Sequence, residues 1–182
     1  DQPYEDLHGL YEPWSKPTPD TLGGKATPFT YFSALCWFFG RDLYDSLKYP
    51  IGLISTNWEG TPIEAWSSPD VFKVCNSTNR PMPRKDRLTG SVRGPHEKSS
   101  LWNSMIHPLL NFTIKGAIWY QGEANTPDPD PYKCLFHAMI TDWREKWFVG
   151  TEGSTDLLSH LGLCSCVLLM NPHQRSSVSI PP

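Results

Sequence analysis

Ile114-Lys115-Gly116-Ala117-Ile118-Trp119-Tyr120, followed by Gln121-Gly122-Glu123-Ala124-Asn125, decides the fold class of this 182-residue chain. The first seven residues form a short, mostly apolar run, which reads as a buried strand. The next five are polar or small and suit the exit from a strand. Asp130-Pro131 then places a cap residue before a proline at the first helical position. Tyr132, Leu135, Phe136, Met139, Ile140, Trp143 and Trp147 follow at helical spacing, as the buried stripe of a helix. Strand, turn and helix in this order make half of a parallel crossover.

Working toward the N-terminus, Phe32, Leu35, Cys36, Phe39, Leu43 and Leu47 predict a helix over residues 29–48, stopped by Pro50. Ile51-Gly52-Leu53-Ile54 reads as a second buried strand. Another helix opens after Ser99 or Ser100 and carries Leu101, Trp102, Met105, Ile106, Leu109 and Leu110, with Pro108 set to kink or end it. Helix, strand, loop, helix, strand, helix predicts the α/β class with parallel strands. Ligands of such sheets bind beyond the carboxyl ends of the strands, here about Ser55–Gly60 and Gln121–Asn125. Residues 1–28 read as an extended lead-in and residues 29–150 as the globular part. In 151–182 the apolar run Leu157–Met170 lacks a period, so this tail is expected to pack poorly.

Eight Trp and eight Phe give enough large apolar side chains for a core, and eighteen Pro imply many loops. A formal net charge of -3 gives no reason to expect nucleic acid or an anionic membrane as partner. No run reaches the roughly 18 apolar residues of a membrane span. The chain starts at Asp1 without a signal-like segment, which reads as mature material or as a missing upstream part. Five cysteines (Cys36, Cys75, Cys134, Cys164, Cys166) and two sequons, at Asn76 and Asn111, favour a secreted or lysosomal glycoprotein. The sequence leaves the disulfide pairing open; Cys75 with Cys134 is a guess. Cys164-Ser165-Cys166 is too closely spaced for a zinc knuckle, and no metal site is read. Arg80, Arg84, Lys85, Arg87, Arg93 and Lys98 crowd residues 76–98. Such a loop could hold an anionic sugar, although a solvated surface loop is the plainer reading.

Gly60 follows the first strand in Trp58-Glu59-Gly60-Thr61. Glycine lets the backbone approach a ligand and present an N–H, which could stabilise an oxyanion in acyl transfer. From spacing alone a plain turn is favoured. Gln121 could donate its amide N–H into the same cleft, and Glu123 could accept a hydrogen bond or orient a neighbour. Both are also common surface residues, and spacing leaves the choice open.

Four blocks go further: Tyr49-Pro50-Ile51-Gly52-Leu53-Ile54, Gly60-Thr61-Pro62-Ile63-Glu64-Ala65-Trp66-Ser67-Ser68, Leu101-Trp102-Asn103-Ser104-Met105-Ile106-His107-Pro108-Leu109 and Trp119-Tyr120-Gln121-Gly122-Glu123. With Cys36–Asp45 they resemble, in collinear order over about residues 10–150, the sialate O-acetylesterase family of SGNH-type hydrolases. The resemblance implies part of a flavodoxin-like αβα three-layer sandwich. It implies a carboxylic ester hydrolase, without a cofactor, that removes acetyl groups from O-acetylated sialic acids or sialoglycans. Gly60 matches the family glycine whose N–H helps form the oxyanion hole, and Gln121 matches the polar donor of the third block. The family's Ser nucleophile lies in a Gly-Gln-Ser-Asn type motif, and its Asp and His lie in a late Asp-x-x-His type block. Neither motif occurs in residues 1–182. Glu59 stands where the family usually has a second glycine, and a carboxylate there would repel an oxyanion. Ser55, Ser67 and Ser68 sit in no nucleophile turn, and His107 and His137 fall in predicted helices. The isolated chain is therefore expected to have little or no esterase activity. The alternative is a non-catalytic sialic-acid-binding or regulatory fragment.

Overall fold

Ser33 starts the first long helix: its hydroxyl accepts from the Cys36 N–H at 3.3 Å, satisfying a donor that the helix itself cannot. The computed structural model describes residues 2–23, 31–79, 95–162 and 166–169. A short α1 (Pro19–Gly23) precedes this helix, α2 (Ala34–Leu47). α2 ends where Lys48 turns left-handed, φ 52, and its N–H reaches Tyr44 O. Strand β1 (Gly52–Ile54) follows. A Cβ on Gly40 would lie 2.6 Å from Leu53 Cδ1, so any larger residue there would force the Leu53 side chain to move. Cys36 and Ile118 form the buried centre here, with Phe32, Leu43, Ile51 and Leu53 packed on it. The rest of the expected helix face is less covered, and Leu35, Phe39 and Leu47 remain exposed.

β2 (Gly116–Ile118), β3 (His160–Gly162) and β4 (Cys166–Leu169) complete a four-stranded sheet in the order β1-β4-β2-β3. β2 and β3 are parallel, joined in sequence through α5 (Tyr132–Gly150). β4 runs antiparallel to β1 and to β2, with Leu168 opposite Leu53 and Val167 opposite Ala117. The α/β class therefore holds, with one correction. The sheet is mixed, because β1 and β2 point the same way but are separated by β4. Within residues 151–182, His160–Gly162 and Cys166–Leu169 form β3 and β4.

The described residues fall into two compact units. One comprises Gly9–Asn57, Thr113–Tyr120 and the residues from Ser159, and contains the sheet and α2. The other comprises the residues to His8, Trp58–Phe112 and Gln121–Leu158. In this second unit α3 (Ile63–Trp66) and α4 (Pro69–Val74) are too short to show a period in the sequence. Ser68 caps α4 by accepting from the Asp70 N–H at 3.2 Å. After Ser99 the expected helix is a π-helix, Trp102–Ile106, tightening to a 3-10 turn, His107–Leu109, at Pro108. Trp143 packs between Trp102 at 6.3 Å and Trp147 at 5.7 Å, and all three are buried with Leu135 and Met139. The lead-in is pinned to this unit: the Tyr4 N–H donates to Asn103 O, and Tyr4 O lies 2.8 Å from His107 Nδ1. A disulfide joins Cys75 at the end of α4 to Cys134 on α5, and Cys36 is also disulfide-bonded.

Lys146 on α5 clamps α4 by donating to Asp142 at 2.7 Å and to Asp70 at 2.9 Å. Burial opposes its charge, but the two carboxylates outweigh burial and hold Lys146 above the ordinary lysine range. Asp142 is pushed up, because burial costs its anion more than Lys146 returns. Asp70, hydrogen-bonded by Lys73 and Lys146, is held down at about 2. Its side chain is half exposed, so its contribution is small; it is present above the ordinary aspartate pKa and lost as pH falls through about 2. Lys146→Met leaves Asp142 buried without its cation and is expected to cost about 2–3 kcal/mol at pH 7.5 in urea melts. The loss should shrink toward pH 4.5, because a carboxyl with a raised pKa regains stability as it takes a proton.

Candidate active site

The Trp58–Thr61 turn is built from its own sequence. Gly60 adopts φ 73, a left-handed value that side chains disfavour. Thr61 closes the turn, its hydroxyl donating to Trp58 O at 2.7 Å and accepting from Trp66 Nε1 at 2.9 Å. Gly60 is exposed, and its N–H has no protein acceptor among the described residues. The adjoining Glu59 is exposed as well.

Gln121 reaches the turn from the other strand exit. Its Nε2 donates to Thr61 O at 3.0 Å and to Asn125 Oδ1 at 2.8 Å. Asn125 Oδ1 also accepts from the Ile63 N–H at 2.9 Å, and its Nδ2 donates to Glu64 Oε2 at 2.8 Å. The backbone groups fix the amide orientations, since Ile63 N–H requires an acceptor and Thr61 O requires a donor. Thr61, Glu64 and Asn125 are buried. The proline at the N-cap of α3, Pro62, has no side-chain acceptor, and Asn125, 62 residues beyond Ile63, supplies one to the Ile63 N–H.

The structure places Gln121 beside the Gly60 turn. Both N–H groups of its amide go to protein acceptors, Thr61 O and Asn125 Oδ1. Its buried Oε1 is the atom left without a hydrogen-bond partner. Glu123 is exposed on a 3-10 turn, Glu123–Asn125, and its carbonyl accepts from Thr126. Sequence reasoning missed Asn125 and Glu64 as the buried pair at the centre. The signal was available: each is polar and stands within three residues of apolar side chains, where an unpaired polar group would be costly.

The other candidates are occupied structurally. Ser67 Oγ donates to Ile63 O, Ser68 caps α4, and Ser55 donates to Asn57. His107 contacts Tyr4 O and the Trp102 ring edge, and His137 is exposed on α5. Lys98 Nζ donates to Ser77 O at 2.6 Å and Thr78 O at 2.8 Å and lies over Phe72. Burial lowers its pKa, opposed by the Glu64 charge. Arg80, Arg84, Lys85, Arg87 and Arg93 lie outside the described residues. Among the described residues no group of three His, Cys, Asp or Glu could hold a metal ion. No described helix is long and apolar enough to cross a membrane.

Comparison with known proteins addresses the same segments. The sialate O-acetylesterase of Homo sapiens is 49% identical over 165 residues, covering 90% of this chain and 30% of the relative. That of Rattus norvegicus is 44% identical over 192 residues, covering 91% and 35%, and that of Mus musculus 45% identical over 181 residues, covering 85% and 33%. The chain thus spans about a third of the length of these curated relatives. The sequence model of the carbohydrate esterases described as sialic acid-specific acetylesterase matches residues 28–149, a stretch that includes the Gly60 turn and the whole Thr61–Glu64–Gln121–Asn125 frame. With more than half of its residues matched, the chain belongs to the sialic acid-specific acetylesterase family of carbohydrate esterases.

Proposed function

We propose that this chain supplies the oxyanion side of an esterase site that removes O-acetyl groups from sialic acids. The carrying observation is the Gly60 N–H, which has no protein acceptor among the described residues, on a turn braced from inside by Thr61, Gln121, Asn125 and Glu64. Such a donor stabilises charge only if it is held in place before the reaction, and the frame does this without using the Gly60 N–H itself. The complete domain is a flavodoxin-like αβα sandwich of the SGNH type. The nucleophile and the Asp-His pair come from outside residues 1–182, so these residues alone turn over little or no ester. The Cys75–Cys134 disulfide supports an oxidising compartment, either the lysosome or outside the cell. Asn76 and Asn111 are exposed, which suits glycosylation.

A chimera tests the reading. Residues 28–149 replace the matching part of the human relative, and acetate release from an O-acetylated sialic acid is followed. Turnover is the expected result, with none from residues 1–182 alone. A folded chimera that binds the sugar without releasing acetate would favour a non-catalytic binding role.

A further inference from the structure

Trp58 is 48% exposed, whereas the other tryptophans of its unit, Trp66, Trp102, Trp143 and Trp147, are at most 3% exposed. A single apolar side chain on a surface is ordinary. Three observations set this one apart. Its backbone is fixed: Trp58 O accepts from the hydroxyl of the buried Thr61 at 2.7 Å, and Gln121 in turn holds Thr61 O at 3.0 Å. Its ring makes no hydrogen bond, ion pair or ring contact among the described residues, whereas the exposed Tyr4 ring packs edge-on against His8 at 4.5 Å. Its place is in the same turn as Gly60, two residues away, so the two Cα atoms are at most about 7 Å apart. An indole with an ordered root thus stands exposed beside the proposed oxyanion donor.

The face of an indole carries the negative part of the ring's quadrupole. The C–H bonds on one side of a pyranose ring are apolar and slightly positive, so a sugar packs flat on such a face while its hydroxyls keep their water at the rim. Contact of this kind reads the sugar ring and not the ester. We propose that Trp58 is the sugar platform of this site: the pyranose ring of the sialic acid lies on the indole, and the O-acetyl group extends from it toward the Gly60 N–H. The inference rests on the oxyanion reading above for the direction of the acetyl group; the stacking itself is read separately below. The platform selects sugar esters over simple alkyl acetates, which present a carbonyl to the donor but have no ring to lay on Trp58. The ring is remote from the reacting carbonyl and keeps its contact from bound substrate to transition state, so the platform acts on KM rather than on kcat.

In the chimera, acetate release is followed from an O-acetylated sialic acid and from ethyl acetate. Trp58→Leu stays apolar but has no flat face. It is expected to raise KM for the sugar ester about tenfold or more, and to lower the preference for the sugar ester over ethyl acetate, as a ratio of kcat/KM values, by the same factor. Trp58→Tyr, which keeps a flat ring, should restore most of both. A preference that does not change, losses of equal size on the two esters, or no rescue by tyrosine would each overturn the proposal; equal losses would mean that Trp58 acts only through the turn. Binding is read without turnover by saturation-transfer difference NMR, with residues 1–182 and a sialic acid carrying no O-acetyl group. Transfer to the pyranose ring protons is expected, and its loss in Trp58→Leu. No transfer to the unaltered chain, or transfer kept in full by Trp58→Leu, would overturn the platform. A chimera that releases no acetate while transfer depends on Trp58 counts against the esterase reading alone. Acetate release indifferent to Trp58 counts against the platform alone.

Discussion

Asn125→Ala is expected to destabilise the second unit by about 3–4 kcal/mol in urea melts, near the upper end for a single substitution. The residue is 1% exposed, and truncation strands three partners at once. The Ile63 N–H loses the acceptor that caps α3, the Glu64 carboxylate loses a donor, and the Gln121 amide loses one of its two acceptors. Each orphaned buried group costs about 1–3 kcal/mol, and the relaxation of Gln121 toward water recovers part of the total. Asn125→Asp keeps the acceptor for Ile63 but replaces the N–H facing Glu64 with a second carboxylate oxygen. That variant should be worse than Asn125→Ala at pH 7.5 and recover toward pH 5, as the added carboxyl takes a proton. A loss below about 1 kcal/mol for Asn125→Ala would mean that the frame is not what holds the loops together.

Removing the Cys75–Cys134 bond is the second large effect. The disulfide closes a loop with a sequence separation of 59, for which chain-entropy arguments give about 4 kcal/mol. A domain of ordinary stability has only about 5–15 kcal/mol in total. Cys75→Ala with Cys134→Ala is therefore expected to lower the urea midpoint sharply without changing the tryptophan packing in the folded state. The loop also encloses residues 80–94, so the bond limits how far that basic segment can spread in the unfolded chain. A midpoint shift equivalent to less than about 1 kcal/mol would show that other contacts already confine the unfolded chain.

Much of the architecture was legible because it rests on periodicity. The stripe from Tyr132 to Trp147 became α5, the stripe from Phe32 to Leu47 became α2, and the two apolar runs became β1 and β2. Elements shorter than two turns carry no such signal, which is why α3 and α4 were unread. The helix after Ser99 was placed correctly but mistyped, since a π-helix and an α-helix share nearly the same apolar spacing over five residues. Strand pairing was the larger failure. Pairing is set by which backbone edge is available, and nothing in the sequence announced that Cys166–Leu169 would enter between β1 and β2.

The site was legible in its members and not in their partners. Gly60 was read from its position after a strand and Gln121 from the family block, and the structure places Gln121 against Thr61, the residue after Gly60. The sequence could not show that both Gln121 N–H groups would be consumed inside the protein, because that depends on where Thr61 O and Asn125 Oδ1 come to lie. What Gln121 holds still is the turn beside it.

The Gly60 N–H is therefore the atom to remove. Replacing Gly60 by glycolic acid in the chimera turns that peptide bond into an ester, deleting the donor while keeping the left-handed turn free of a side chain. The expected result is a fall in kcat for acetate release of about 10²–10³-fold with KM little changed, the pattern for a donor that acts on the transition state. An unchanged kcat in a folded ester variant would contradict the assignment of this turn as the oxyanion side of the site.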